Sequence, residues 1–151
     1  LSDLFDTFRP ARRDATPAAT EHSLQLATAV LLVEVMRADT AQHGLEKPVV
    51  LAALRERFGL AEDELARLYE LAEQRSVEAH DLHSFTARLN AAFDEPQRVR
   101  ILEQLWRVAY ADGRLDAHEN HLMRRLADLL HVRQADAIGA KLRAERPPAG
   151  D

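Results

Sequence analysis

The sequence predicts an all-α fold in one compact domain of about seven helices, and three observations support this prediction. The chain has 151 residues, 46% of them hydrophobic, which suits a single domain with a sizeable core. Its composition is rich in Ala, Leu, Arg and Glu, which are strong helix formers. Apolar residues recur at three- and four-residue spacing, and no segment shows the period-two alternation of a strand.

The two ends of the chain differ in composition from the helical region. Residues 1–8 have the pattern of a short amphipathic helix, and the stretch that follows, up to residue 19, is rich in Pro, Ala, Thr and Arg. This composition is typical of a mobile arm, and the Pro-rich residues 147–151 are typical of a disordered tail. We therefore expect the folded domain at residues 20–146.

End signals predict the first two helices. The first runs from Thr20, a residue suited to an N-cap, to about Asp39. The second runs from about Glu46 to Phe58, and Gly59 supplies a left-handed stop. A short acidic connection therefore joins two helices.

Apolar stripes predict the next two helices. The third starts near Glu62, and the fourth has Asp81 as a candidate cap. The third stripe comprises Leu65, Leu68, Tyr69 and Ala72, and the fourth comprises Leu82, Phe85, Leu89, Ala92 and Phe93. Each stripe is wide enough to bury one helix face against a core.

Capping boxes mark the last helices. Asp94 and Gln97 start the fifth helix, and Asp116 and Glu119 start the sixth. A weaker apolar pattern predicts a seventh helix at about residues 133–146. Together with the first four, these helices complete the expected domain.

The large aromatic and sulfur side chains are interpreted as core residues. Trp106 lies on the inward stripe of the fifth helix, and its indole N–H needs a hydrogen-bond partner if it is buried. Met36 and Met123 lie far apart in the sequence, which is more typical of side chains that fill gaps than of soft-metal ligands.

An internal repeat relates the two halves of the predicted fold. Asp39 and Glu46 recur as Asp112 and Glu119 with the same spacing. Each Asp follows an alanine at the end of an apolar run, and each Glu opens the next run. The pattern predicts two pseudo-symmetric units, each a helix, an acidic loop and a second helix.

The two units are related but not identical. After the glutamates the register slips by one residue, so that Gly59 matches His131. The glycine that follows Asp112 has no counterpart, because Thr40 follows Asp39. The second unit is the more regular of the two.

The acidic residues of the two loops are candidate ligands for a cation. A carboxylate at a helix C-terminus faces the negative end of the helix dipole. The unfavourable interaction at each Asp therefore needs a compensating positive group. Local N–H groups would supply it if the acids are caps, and a shared Ca²⁺, Mg²⁺ or Mn²⁺ would supply it if they are ligands. Both interpretations remain open for Asp39, Glu46, Asp112, Asp116 and Glu119.

Other metal and catalytic motifs do not fit. An EF-hand loop started at Asp112 would place Arg114 at the third position and Met123 at the twelfth, where acidic ligands belong. His118 and His121 are three residues apart, whereas the metalloprotease helix needs four. The chain has no cysteine and no Gly-x-Ser-x-Gly elbow. We expect no enzymatic activity.

Charge and hydropathy bear on partners and location. The net charge is −5 and the basic residues are interleaved with acidic ones, which disfavours nucleic-acid binding. The most apolar stretch, residues 27–33, is far shorter than the roughly 20 residues of a spanning helix. We expect a cytoplasmic protein without direct membrane insertion that acts on protein partners.

The stretch 106–119, Trp-Arg-Val-Ala-Tyr-Ala-Asp-Gly-Arg-Leu-Asp-Ala-His-Glu, together with the helix end at 129–132, resembles the signature of the tellurite-resistance TerB family. The likeness covers about residues 22–144. The same module resembles the N-terminal domain of a membrane-anchored DnaK co-chaperone. The chain has no J-domain His-Pro-Asp, so co-chaperone activity is not carried over.

The resemblance implies a compact helical fold with pseudo-two-fold halves, an acidic surface that is a candidate metal site, and a link to stress responses without catalytic activity. We therefore expect an interaction scaffold or sensor whose acidic patch binds a divalent cation. The alternative is a purely structural adaptor whose acids are helix caps and whose partner docks elsewhere, for example through residues 1–8.

Overall fold

Seven α-helices are formed by the residues that the computed structural model describes, which are 17–38, 46–78, 82–111, 115 and 117–145. The helices are α1 (Pro17–Ala38), α2 (Glu46–Phe58), α3 (Glu62–Glu78), α4 (His83–Ala92), α5 (Glu95–Ala109), α6 (Ala117–Leu129) and α7 (Gln134–Glu145). None of these residues forms a strand, which confirms the all-α prediction. Residues 17–19 of the predicted arm, 1–19, belong to α1. The rest of that arm and the predicted tail, 147–151, lie outside the described residues.

The start of α5 confirms the predicted capping box. Asp94 Oδ1 accepts the backbone N–H of Gln97 at 3.0 Å, and Gln97 Oε1 accepts the backbone N–H of Asp94 at 3.0 Å. Pro96 occupies the first turn, where its missing N–H leaves no hydrogen bond unmade. The box therefore satisfies two backbone donors that the helix itself cannot pair.

Two other predicted helix starts were wrong. α1 begins at Pro17, so Thr20 lies inside the helix and is not its N-cap. Proline is well suited to the first position, and the two alanines that follow extend the helix. The cap position of α4 falls on Leu82, whose side chain makes no capping bond, and Asp81 lies outside the described residues.

The central helix is α1. Every residue from 27 to 33 is at most 1% exposed, and α1 packs against α2, α3, α4, α5 and α6. A helix that is buried on all sides is expected to be apolar on all sides, which explains this run and confirms it as a core element. Among the described helices, none combines the length and the hydropathy needed to cross a bilayer.

Helix packing follows the same order in both halves. α1 packs most extensively against α3, and α5 packs most extensively against α7. Across the halves, α1 contacts α6 and α2 contacts α5 to a similar extent. Gly59 and His131, which the repeat matches, both have left-handed backbone angles, with φ of 64° and 53°. These features agree with an internal repeat, which as a whole stays a prediction.

Candidate functional site

Two of the five predicted site residues lie within the described part of the chain, and both are buried. Glu46 is the first residue of α2, and Glu119 lies in the first turn of α6. Each is only 1% exposed. Asp39, Asp112 and Asp116 lie outside the described residues, so the structure gives no position for them.

Full burial is unusual for a glutamate. Glu is almost never fully buried unless its carboxylate is paired, and other groups of the protein engage both Glu46 and Glu119. Their helix N-termini also favour a negative charge, by about 0.3–1 kcal/mol at an exposed site. The burial is compatible with capping and with cation ligation, so both interpretations of these residues remain.

One polar groove is lined by the C-terminal end of α1, the C-terminal part of α3 and the first turns of α6. Ala38 lines it directly before Asp39 in the chain, and His118 lines it directly before Glu119. The groove has a volume of about 390 Å³ and is lined by Glu34, Arg37, Ala38, Ser76, His118, His121, Leu122 and Arg125. The structure therefore brings the end of α1 and the first turn of α6 to one groove, whereas the two loops themselves lie outside the described residues.

A buried serine orders the α1 side of this polar groove. Ser76 is 2% exposed, and its Oγ donates a short hydrogen bond to Glu34 Oε2. Arg37 Nη1 donates to the same Oγ at 3.0 Å and lies 3.7 Å from Glu34 Oε2. Sequence reasoning missed this cluster, although Glu34 and Arg37 stand one turn apart at the end of an apolar run, which is a usable signal.

The α6 side of the polar groove carries basic and imidazole groups. His118 and His121 are exposed, and Arg125 lies one turn further along the helix. Within the described ranges, no group of three or more His, Cys, Asp or Glu side chains is arranged to hold a metal ion. A cation site built from the five predicted acids would need the aspartates of the loops, so that prediction stays untested.

Trp106 lies at the base of a second groove, between α6 and α7, which we call the Trp106 groove. The burial of Trp106 confirms its predicted core position. The side chain is 5% exposed, its ring stacks on Tyr110 with centroids 5.8 Å apart, and Lys141 Nζ lies 5.1 Å from its centroid. Its Nε1 is buried and has no hydrogen-bond acceptor among the described residues. The sequence gives no sign of this, because a partner for the N–H depends on long-range packing.

A third polar surface joins α2 to α5. Arg57 Nε donates to Gln104 Oε1 at 3.0 Å, and the buried Gln104 donates through Nε2 to the carbonyl of Ala53 at 3.3 Å. Burial, followed by the charge of Arg100, lowers the pKa of Arg57. Since Gln104 joins the two helices through hydrogen bonds, we interpret this network as structural.

The fold and the grooves define a class of protein: a small helical module, as far as the chain is described, in which the end of α1 and the start of α6 line one polar groove. Residues 25–142 match the family model described as Tellurite resistance protein TerB, and the chain belongs to this family. The match confirms the resemblance seen in the sequence. No curated protein matches the chain, and no solved structure matches it either.

Proposed function

We propose that this chain is a non-enzymatic TerB-like module of the cytoplasm, which acts as an interaction scaffold or sensor in a bacterial stress response and binds a divalent cation through its acidic loops. The observation that carries the proposal is the matched burial of Glu46 and Glu119, each 1% exposed at the start of a helix. A glutamate whose only role is to interact with the helix dipole can do so at the surface and does not need such burial.

The chemistry of the loops supports the cation. Carboxylates offer the hard oxygen ligands that Ca²⁺, Mg²⁺ and Mn²⁺ prefer. Asp39, Asp112 and Asp116 adjoin the described helices in the chain and would complete the ligand set with the two glutamates. A bound cation would also offset the repulsion between these carboxylates. Binding would therefore stabilise the loops and change the surface that a partner meets.

A structural adaptor is the second candidate. Glu119 is the third residue of α6, which is the position of the reciprocal partner in a capping box. Glu46 lies in the first turn of α2, where the dipole favours an acid. In this function the acids only fix helix starts, and the partner binds elsewhere.

The melting temperature of the full chain distinguishes the two candidates. After removal of metal with EDTA, we expect millimolar Ca²⁺, Mg²⁺ or Mn²⁺ to raise it. A ligand at 100 times its dissociation constant stabilises by about 2.7 kcal/mol, which corresponds to several degrees for a domain of this size. Glu119→Gln and Glu46→Gln should each reduce this rise, because each removes one charged ligand.

Glu64→Gln is the matched control. Glu64 also lies in the first turn of a helix, but it is exposed and accepts the backbone N–H of Ala61 at 2.9 Å. Its replacement should leave the cation-dependent rise unchanged. If no ion raises the melting temperature, or if all three variants keep the full rise, the cation site is rejected and the adaptor remains.

A further inference from the structure

The polar surface that joins α2 to α5 contains a groove, which we call the arginine groove. It has a volume of about 340 Å³ and is lined by Glu56, Arg57, Arg100, Glu103, Gln104 and Arg107. The four lining residues of α5 recur at spacings of three and four, which places them on one face of that helix. All six side chains are charged or carry an amide, so the groove offers hydrogen bonds to a ligand rather than apolar contacts.

The two carboxylates of the arginine groove already have basic partners. Glu103 Oε2 lies 2.7 Å from Nη2 of Arg107, and Glu103 Oε1 lies 2.7 Å from Nε of Arg143. Glu56 Oε1 lies 4.0 Å from Nη1 of Arg107 and accepts a hydrogen bond from Gln104 Nε2 at 3.4 Å. Two guanidinium groups therefore balance the charge of the two glutamates.

Arg57 and Arg100 are left without such balance. Neither forms an ion pair with a carboxylate of the described residues. Arg57 is half-buried, and its pKa is lowered by burial and then by the charge of Arg100, against a smaller opposite effect of Glu56. A partly desolvated cation beside a like charge is unfavourable. A ligand that brings negative charge to this place would relieve the repulsion.

The buried Gln104 fixes the position of Arg57. Gln104 is 5% exposed, its Oε1 accepts Nε–H of Arg57 at 3.0 Å, and its Nε2 donates to the Ala53 carbonyl at 3.3 Å. This structural network uses only Nε of Arg57, so the two terminal amino groups remain available as donors. Arg100 stands one turn before Gln104 on the same face of α5. The cost of ordering Arg57 on binding is therefore already met in part by the fold.

We propose that the arginine groove binds a phosphate group between Arg57 and Arg100. A guanidinium presents its N–H donors in a planar fork that matches the oxygens of phosphate. A phosphate ester carries a charge of about −1.5 to −2 at neutral pH, which suits two uncompensated arginines better than a single carboxylate does. The net charge of the whole chain is −5, so binding depends on this local arrangement and not on a general attraction for anions.

Titration calorimetry of the full chain with inorganic phosphate tests the proposal, in EDTA and at constant ionic strength. Arg100→Gln should weaken binding by about tenfold, which corresponds to the loss of one charge-assisted hydrogen bond. Arg100 is exposed, so this substitution should leave the fold unchanged. Arg67→Gln is the matched control, because it removes the same charge from an exposed position on α3 outside the groove lining. It should bind phosphate as the parent chain does.

The melting temperature gives a second measurement. Without phosphate, Arg100→Gln should melt no lower than the parent chain, because it removes a repulsion between like charges. With phosphate, its melting temperature should rise less than that of the parent chain, since it binds the ligand more weakly. Arg57→Gln should also weaken binding, measured at a temperature at which circular dichroism shows the variant to be folded.

Two results would overturn the proposal. One is a parent chain that binds no phosphate. The other is equal weakening by Arg100→Gln and Arg67→Gln, because the effect would then be one of net charge. Phosphoserine, titrated beside inorganic phosphate, identifies the source of the ligand: tighter binding of phosphoserine indicates an esterified phosphate, and tighter binding of inorganic phosphate indicates the free ion. EDTA is present throughout, so the phosphate site and the proposed cation site can fail separately.

Discussion

The first half of the molecule (α1–α3) and the second half (α5–α7) differ most where α2 and α6 end. Both ends use a left-handed residue, but it is Gly59 in the first half and His131 in the second. The α6 end adds two hydrogen bonds, from His131 N to the Asp128 carbonyl at 3.0 Å and from Val132 N to the Ala127 carbonyl at 3.1 Å. The conformation is therefore a requirement of the helix ending, and glycine is only the less strained way to meet it.

The halves also differ in how their second and third helices close. Arg55 donates two hydrogen bonds to Glu62 at 3.0 and 3.1 Å across the turn between α2 and α3. Between α6 and α7 the matching region opens into the Trp106 groove. The second half therefore keeps the packing of the first but leaves Ile138 and Leu142 exposed on α7.

The largest expected effect is the loss of stability when a core leucine is truncated, and it tests whether matched leucines of the two halves contribute equally to the core. Leu32 in α1 and Leu105 in α5 occupy matched positions of the repeat and are at most 1% exposed. Leu32→Ala and Leu105→Ala should each lower the free energy of unfolding by about 2–5 kcal/mol, because each leaves a cavity. Urea unfolding followed by circular dichroism measures both. A loss below about 1 kcal/mol for one of them would show that the matched positions are not equivalent in packing.

A smaller effect on stability is expected from substitutions at the left-handed residues that end α2 and α6, Gly59 and His131. Gly59→Ala should destabilise by about 1 kcal/mol, since a Cβ in the left-handed region is strained, although no atom lies within 4 Å of that Cβ. His131→Gly should stabilise by about 0.5–1 kcal/mol as the strain is relieved. His121→Gly, at an exposed position within α6, is the control and should destabilise. If His131→Gly destabilises as much as this control, the side chain of His131 stabilises the fold by more than its strained backbone destabilises it.

The smallest expected effect is a loss of stability that occurs only at alkaline pH, and it concerns one tyrosine from each half. Burial, followed by the charge of Glu73, raises the pKa of Tyr69 to about 12. Burial and the hydrogen bond to Glu145 also raise the pKa of Tyr110. Because both folded-state pKa values lie above the unfolded value near 10, the stabilisation is complete below pH 10 and is lost as the pH rises through the folded values.

Alkaline unfolding measures this contribution. Between pH 10 and 12, the parent chain should lose stability more steeply than Tyr69→Phe or Tyr110→Phe, since phenylalanine has no proton to lose. Below pH 9 the slopes of the three chains should coincide. Parallel curves across the alkaline range would contradict the raised pKa values.

Local signals in the sequence were sufficient for most helices but not for the contacts between them. Asp94 and Gln97 lie three residues apart, so their capping geometry depends on one turn of helix and is visible in the sequence. The left-handed Gly59 is local in the same way. The prediction that Thr20 is an N-cap was wrong because a good cap residue is also tolerated inside a helix, and tertiary packing can override its preference.

The grooves depend on distant parts of the chain. Ser76 meets Glu34 because one turn of α3 packs against the end of α1, and no spacing in the sequence encodes that register. The Trp106 groove likewise follows from the way α6 and α7 diverge above α5. The repeat matches the predicted acids with one another in the sequence. It does not predict the distances between them, because the two halves of the repeat lie far apart in the chain.

The all-round burial of residues 27–33 in α1 has a consequence for synthesis on the ribosome. This helix leaves the exit tunnel before its partners α5 and α6, which follow it in the chain. Because synthesis proceeds at about 5–20 residues per second, the apolar surface of α1 stays without these partners for several seconds. During that interval the nascent chain exposes the apolar run 27–33, which is the kind of segment that chaperones bind. Among the described helices, the one that is made first is thus covered last.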